Sequence, residues 1–246
     1  VERLFDERRL VVNKARQMGV STVLNALALW GLMFGHKSLQ GQLIVIVRTS
    51  LQSQLFKDAI VRQYNELPVW LRQVRETSKA QSAFSAGILR VRNRNVSTED
   101  SNQSGEMTLV CASNHNTLKS LLCGMPQPGM ILVDEAAYGN IMVSDVLSAT
   151  RPTNDTIIAV ASTPAINIGG GGSGDEFNKA VHALRRRPEQ PVQNNDHQPI
   201  QFPESFTLAE LPWYVDKDKD ETWLQTTSRF LDVQSSRVEL FCEPPI

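Results

Sequence analysis

Cysteine is scarce in this chain. Three occur in 246 residues, Cys111, Cys123 and Cys242, an odd and widely spaced set. That excludes a disulfide framework and a cysteine-based zinc site, and it predicts a reducing cytoplasm as the home. Long apolar runs are missing as well. The longest, Val23 to Phe34, falls well below the roughly 20 residues a membrane-spanning helix needs. The opening VERLFDERR has no secretory pattern. A strong charge of either sign is also lacking: the formal net charge is −1, so any nucleic-acid surface must be a local patch. No internal repeat is present. With 41% apolar and 21% charged residues the composition is that of an ordinary globular protein. The length suits one large domain, or one domain with a small appendage.

One further absence directs attention to what is there. The string G-x-x-x-x-G-K-[ST] does not occur, yet NKARQMGVST (Asn13 to Thr22) sits where such a loop belongs. Leu10 to Val12 lead into it and Val23 to Phe34 follow, which reads as strand, tight loop and buried helix. Gly19 takes the second glycine and Ser21 the hydroxyl that holds Mg²⁺. Val20 stands where the lysine should be, and Lys14 where the first glycine should be. An ammonium launched from Lys14 can still reach β- and γ-phosphates, and Arg16 adds a cation with bidentate geometry. Backbone N–H groups across Ala15, Arg16, Gln17, Met18, Gly19, Val20, Ser21 and Thr22 supply an anion nest whatever the side chains are. A lysine installed at Val20 would then stand in for Lys14. The same residues also suit a plain strand-to-helix turn with solvated basic side chains.

Met130 to Tyr138 reads MILVDEAAY, an unbroken apolar run ending in two carboxylates. Such runs are buried parallel strands, and ligands of open α/β sheets sit at strand carboxyl ends. Asp134 is placed to meet Mg²⁺, and Glu135 to orient and deprotonate an attacking water. The pair alone also fits a strand ending in solvated acids. Thr156 to Ala161 runs into Ser162-Thr163-Pro164, a hydroxyl pair able to sense a γ-phosphate or simply to make a turn.

KARQMGVST, ILVDEAAY and ASTP, in this order, resemble the ATPase domain of the large terminase subunit of tailed bacteriophages, from about Arg9 to the C-terminus. That family is a DNA-packaging motor of the additional-strand (ASCE) P-loop class. It tolerates a lysine at the start of its loop, as in Lys14, and carries a pair like Arg16-Gln17. Asn65 to Pro68 (NELP) and Glu239 to Pro244 (ELFCEP) also look like family features. Two departures stand out. No glutamine-bearing adenine motif precedes Lys14, so the N-terminus is expected to be incomplete. Cys123-Gly124 stands where the family often has Arg-Gly, which puts an arginine finger there in doubt and makes Lys119 a substitute.

The resemblance implies ATP as substrate, Mg²⁺ as cofactor, and double-stranded DNA moved into a procapsid in the host cytoplasm. It implies a portal protein and a small terminase subunit as partners, no membrane, and a homo-oligomeric ring when docked, with a monomer in solution. Ser162-Thr163 would couple hydrolysis to movement. The rivals are a helicase-like translocase and a non-catalytic scaffold that binds DNA or portal.

Along the rest of the chain, Leu43 to Val47 predicts a strand, and Thr49 to Tyr64 a helix with Leu51, Leu55, Ile60 and Val61 inward. Ile88 to Val96 predicts an exposed strand with Arg90, Arg92 and Arg94 on one face, suited to DNA phosphates or to a charged sheet edge. Ser97 to Glu106 reads as a loop, Met107 to Cys111 as a strand and Ser113 to Leu122 as a helix. Gly169 to Gly174 reads as a mobile loop. Phe177 to Arg187 is helical and ends in Arg185, Arg186 and Arg187, a second DNA candidate. The expected fold is therefore α/β, an ASCE P-loop NTPase with a mostly parallel sheet. Residues 1–187 form the ATPase core, and 188–246 a linker and a small lid packing on it. A nuclease domain is expected to be absent from this chain.

Overall fold

A computed structural model describes residues 1–34, 42–71, 88–92, 106–112, 127–166, 172–187 and 200–244. The apolar runs become strands: β1 (Arg9–Lys14), β2 (Gln42–Ile46), β3 (Ile88–Arg92), β4 (Glu106–Ala112), β5 (Met130–Asp134), β6 (Ile157–Ser162) and β7 (Thr207–Leu211). They form one sheet in the order β3-β4-β2-β5-β6-β1-β7. All neighbours are parallel except β3, which runs antiparallel to β4 at the edge. Strand β6 is inserted between β1 and β5, the arrangement expected of the additional-strand class.

The inner part of the sheet is covered on both faces, which is why β1, β2, β5 and β6 lack polar alternation. Leu10, Val12, Leu43, Val45, Met130, Leu132, Ile157 and Ala159 point to one core cluster. Their neighbours Val11, Ile44, Ile46, Ile131, Val133, Ile158 and Val160 point to the other, as a two-residue period demands. Helices α1 (Glu2–Glu7), α2 (Val20–Phe34) and α3 (Ser50–Glu66) contribute Leu4, Leu24, Leu32, Phe56 and Ile60 to the first cluster. Helices α4 (Val143–Thr150) and α5 (Ser173–Arg185) contribute Val146, Leu147, Phe177 and Val181 to the second.

Several expectations change here. Helix α3 buries Ser53, Phe56, Lys57 and Ile60, while Leu51 and Leu55 are 67% and 57% exposed. Polar residues at two of the four inward positions hid the true stripe. Its start is fixed by a capping box between Thr49 and Gln52, worth about 1 kcal/mol. Burying Phe56 and Ile60 adds about 1.5–3 kcal/mol each, so packing decides which way the helix faces. Helix α2 is buried on one side only: Val23 and Trp30 reach solvent, and Trp30 packs edge-on against Phe5.

The region expected as a lid begins with a core element, because β7 pairs with β1 through Leu10–Thr207 to Lys14–Leu211. Two short helices follow it, α6 (Glu221–Ser228) and α7 (Val233–Phe241). Residues 35–41, 72–87, 93–105, 113–126, 167–171, 188–199 and 245–246 lie outside the described residues, and with them Arg94, the loop expected from Ser97 except Glu106, which opens β4, the helix expected over Ser113 to Leu122, Cys123, and Gly169 to Gly171.

Gly174 belongs to α5 and not to a mobile loop. A Cβ there would meet Ala165 Cβ at 2.8 Å and the Ala137 carbonyl oxygen at 2.9 Å. The glycine lets α5 lie directly on the turns that follow β5 and β6. Gly174→Ala is expected to destabilise the protein by about 1–3 kcal/mol, the usual cost of overpacking. Denaturant unfolding checks it, and parental stability would show that α5 can shift freely.

Candidate active site

Lys14 is the last residue of β1, and its stem is buried. Its Nζ donates to Glu135 Oε1 at 2.7 Å, across 121 residues of sequence. Glu135 follows the tip of β5 with φ of 55°, a left-handed conformation that a glutamate adopts only under constraint. Asp134 accepts the Glu135 N–H at 3.1 Å, and Ser21 on α2 faces its carboxylate and favours the charged form. Lys14, Ser21, Asp134 and Glu135 are thus brought together from β1, α2 and β5.

Between Lys14 and Ser21 the backbone turns sharply, with φ of 58° at Gln17 and 69° at Gly19. The N–H of Ala15 is taken by the Leu211 carbonyl and that of Arg16 by the Glu239 carbonyl, both at 2.8 Å. Thr22 and Val23 donate to the Gly19 carbonyl, starting α2. Among the described residues, the N–H groups of Gln17, Met18 and Gly19 have no protein acceptor. Three adjacent donors of this kind form an anion nest.

Val20 is buried and packs in the first core cluster with Leu24 and Leu27. A lysine installed there would have to lead its ammonium out past Leu24 and Leu27 to stand in for Lys14.

Arg16 reaches the C-terminal segment. Its Nη2 lies 2.9 Å from Glu239 Oε1, and the Glu239 side chain is only 5% exposed. Arg16 is thus paired with the ELFCEP tail. Next to it, Asn13 Nδ2 donates to Glu210 Oε1 at 3.1 Å and to the Cys242 carbonyl at 2.8 Å. Burial pushes the Cys242 thiol up to about 12, which makes it chemically inert here.

Ser162 and Thr163 are buried beside the Asp134-Glu135 turn. The Ser162 hydroxyl accepts from Ala137 N at 3.1 Å and donates to the Thr163 carbonyl at 2.8 Å. Tyr138 donates to the Pro164 carbonyl at 2.8 Å, so the turns after β5 and β6 are tied twice. Helix α5 holds both. Ser173 Oγ donates to the Gly139 carbonyl, and Asn178 clasps the backbone N–H and C=O of Ala165.

The arginines expected to meet DNA are placed differently from one another. Arg90 and Arg92 lie on edge strand β3, opposite Thr108 and Glu106 in register. Arg185 is engaged within the protein, with Glu210 and the Cys242 carbonyl, and Arg187 donates to the Glu204 carbonyl. Arg186 is exposed at the end of α5. The run therefore does not present three free cations.

No protein-family model and no curated protein matches this sequence. Solved structures do. The large terminase ATPase domain of Thermus phage P74-26 matches with a TM-score of 0.64 and 16% identity, over 96% of this chain and 88% of that one. The fold is that of a large terminase ATPase domain. The large terminase of the thermophilic bacteriophage D6E matches with a TM-score of 0.61 and 11% identity, over 96% of this chain and 48% of that one. In its complex with ADP the values are 0.57 and 8%, over 97% and 48%. This chain therefore spans the length of one terminase ATPase domain and about half of a whole large terminase.

Sequence reasoning missed Glu239, Asn13, Glu210, Asn178 and Lys219. ELFCEP was noticed as a pattern, but nothing in it says that Glu239 turns inward. Lys219 sits in the alternating DKDKD run, which looks like solvated surface.

Ser21 and Asp134 offer two oxygens, the number Mg²⁺ takes from protein where phosphates and waters complete its shell. The Asp134 carboxyl is held above the usual range, chiefly by burial, with Glu135 adding repulsion against the Ser21 bond and Lys14. A cation there relieves that cost, so the residues fit.

A raised carboxyl pKa in the folded state means that the charged form opposes folding. Stability is lost as pH rises from the ordinary aspartate range through the raised value. Asp134→Asn is therefore expected to raise the melting temperature of the ligand-free protein at neutral pH, and the gain should shrink in acid. Melting curves at both pH values check this; an unchanged difference would refute it.

Proposed function

We propose that this chain is the ATPase motor domain of a viral large terminase. On this reading it hydrolyses ATP with Mg²⁺ and moves double-stranded DNA into a procapsid. One observation carries it: Lys14 and Glu135 meet at 2.7 Å beside the Ser21–Asp134 pair, at the carboxyl ends of β1 and β5. The terminase ATPase fold adds support, and the D6E large terminase in that fold binds ADP.

Within residues 15–22, the backbone N–H groups of Gln17, Met18 and Gly19 bind the phosphates, with Lys14 and Arg16 supplying positive charge. Ser21 and Asp134 hold Mg²⁺, which neutralises phosphate charge when bound. Glu135 orients the water and takes its proton. A phosphate that draws Lys14 away frees the Glu135 carboxylate to accept from the water. Ser162 and Thr163 pass the change at the β5 turn to α5. Residues 1–187 together with β7 make the ATPase core, and the segment after β7 the lid. The working form is a homo-oligomeric ring on a portal, with a small terminase subunit, in the host cytoplasm.

Glu135→Gln is expected to keep nucleotide binding and to reduce turnover by about 10²-fold or more. Lys14→Ala is expected to abolish turnover. Steady-state ATPase rates and ADP titrations of parent and variants decide it. A parent that binds nucleotide but never turns it over would favour the scaffold, the reading that Val20 in the lysine position suggests.

DNA affinity is expected to be weak, independent of sequence and steeply salt-dependent. Arg186→Ala, or Arg90→Ala with Arg92→Ala, should flatten the salt slope. Arg185→Ala should lower stability instead, because its partners are internal. Equal slopes for all variants would remove both patches from the DNA surface.

A further inference from the structure

Lys219 is the one lysine of the DKDKD run that turns inward, and its side chain is only 8% exposed. Its Nζ donates to the Gln17 carbonyl at 2.9 Å and the Arg16 carbonyl at 3.2 Å, and lies 3.2 Å from Met18 Sδ. Asp216 Oδ2 balances the charge at 3.5 Å, and the Trp223 ring lies 4.8 Å below. The backbone that carries it is itself fixed. Lys219 N donates to the Asp216 carbonyl, and Asp220 caps α6 by accepting from Trp223 N at 2.7 Å. The Trp223 ring in turn stacks on Trp213.

A peptide unit is planar and trans, so the C=O of one residue and the N–H of the next point in opposite directions. Where Lys219 holds the carbonyls of Arg16 and Gln17, the N–H groups of Gln17 and Met18 must face the other way. Those are two of the three donors of the nest. Gln17 is also the non-glycine residue of the loop with positive φ, a conformation needing outside support.

We propose that Lys219 is a positioning residue for the phosphate-binding loop: it grips the outer carbonyls so that the inner N–H groups are aligned before nucleotide arrives. The proposal rests on the nucleotide site described above. It makes the segment after β7 part of that site, through a residue that touches no phosphate.

The test compares Lys219→Met, which keeps the stem and loses the donors, with Lys219→Arg, which keeps donors and charge. Lys217→Met, on the exposed lysine two residues earlier, is the control. Affinity for ADP, KM and kcat for ATP, and hydrogen exchange of the hydrogen-bonded loop amides of Ala15, Arg16, Thr22 and Val23 in protein without nucleotide are measured. Lys219→Met should weaken ADP binding and raise KM by about tenfold, as expected when the competent loop is populated a tenth as often, with kcat changed much less. Its loop amides should exchange faster while those of β5 keep parental protection. Lys219→Arg should restore affinity to within about threefold, and Lys217→Met should match the parent. Unchanged affinity and unchanged loop exchange in Lys219→Met overturn the proposal. If that variant loses β5 protection, Lys219→Gln is measured in its place, with the same expectations and the same overturning result. A parent that binds no nucleotide overturns the proposed function, while loop exchange still decides whether Lys219 aligns the loop.

Discussion

The distance between two strand tips constrains everything else in this site. Strands β1 and β5 are separated by β6, so their ends lie two strand spacings apart, about 10 Å. Lys14 and Glu135 close that gap with side chains alone. The end of β6 between them carries Ala161 and Ser162, both small and both fully buried. A bulky residue there would stand between the ammonium and the carboxylate. The hydroxyl of Ser162 does more than stay out of the way, because it accepts the Ala137 N–H and so fixes the turn on which Glu135 sits. The strained backbone at Glu135 is therefore held by the lysine on one side and the β6 turn on the other.

The C-terminal segment closes the site from behind. Leu211 and Glu239 take the backbone N–H groups of Ala15 and Arg16, Glu239 pairs with the Arg16 side chain, and the Cys242 carbonyl receives Asn13. Glu239 is buried while its partner is largely exposed. Removing such a partner leaves a buried carboxylate uncompensated, at about 3–5 kcal/mol. An Arg16 variant thus mixes two effects, lost phosphate charge and a loosened tail, and its activity alone would not separate them.

Strands were legible in the sequence because each core strand is a continuous apolar run between two covered faces. That β6 is an additional strand came with the terminase resemblance, and that β1 and β5 end at one site followed from motif order and from where sheets bind ligands. What stayed hidden was polar and tertiary. Ser53 and Lys57 on the inner face of α3 masked its stripe. Gly174 reads as mobile loop because a glycine required by close packing and a glycine in a loop are the same letter. Glu239 and Lys219 each occupy a charged stretch, and no local pattern says which charge faces inward. Strand β7 was mistaken for lid because TLAEL follows a polar stretch, and its pairing partner β1 lies some two hundred residues earlier.

Asn178 matches the N–H and C=O of Ala165 with its own carbonyl and amide, much as two bases pair. With Gly174 seated on Ala137 and Ala165, this clasps the first half of α5 to the two turns of the site. The helix has 13 residues and so is about 20 Å long. A rod of that length pivoted by about 5° at one end travels about 2 Å at the other. Its far end holds Arg185, which grips Glu210 on β7 and the carbonyl of Cys242. A pivot of that size beside Glu135 would carry β7 at the edge of the sheet and the Cys242 segment with it.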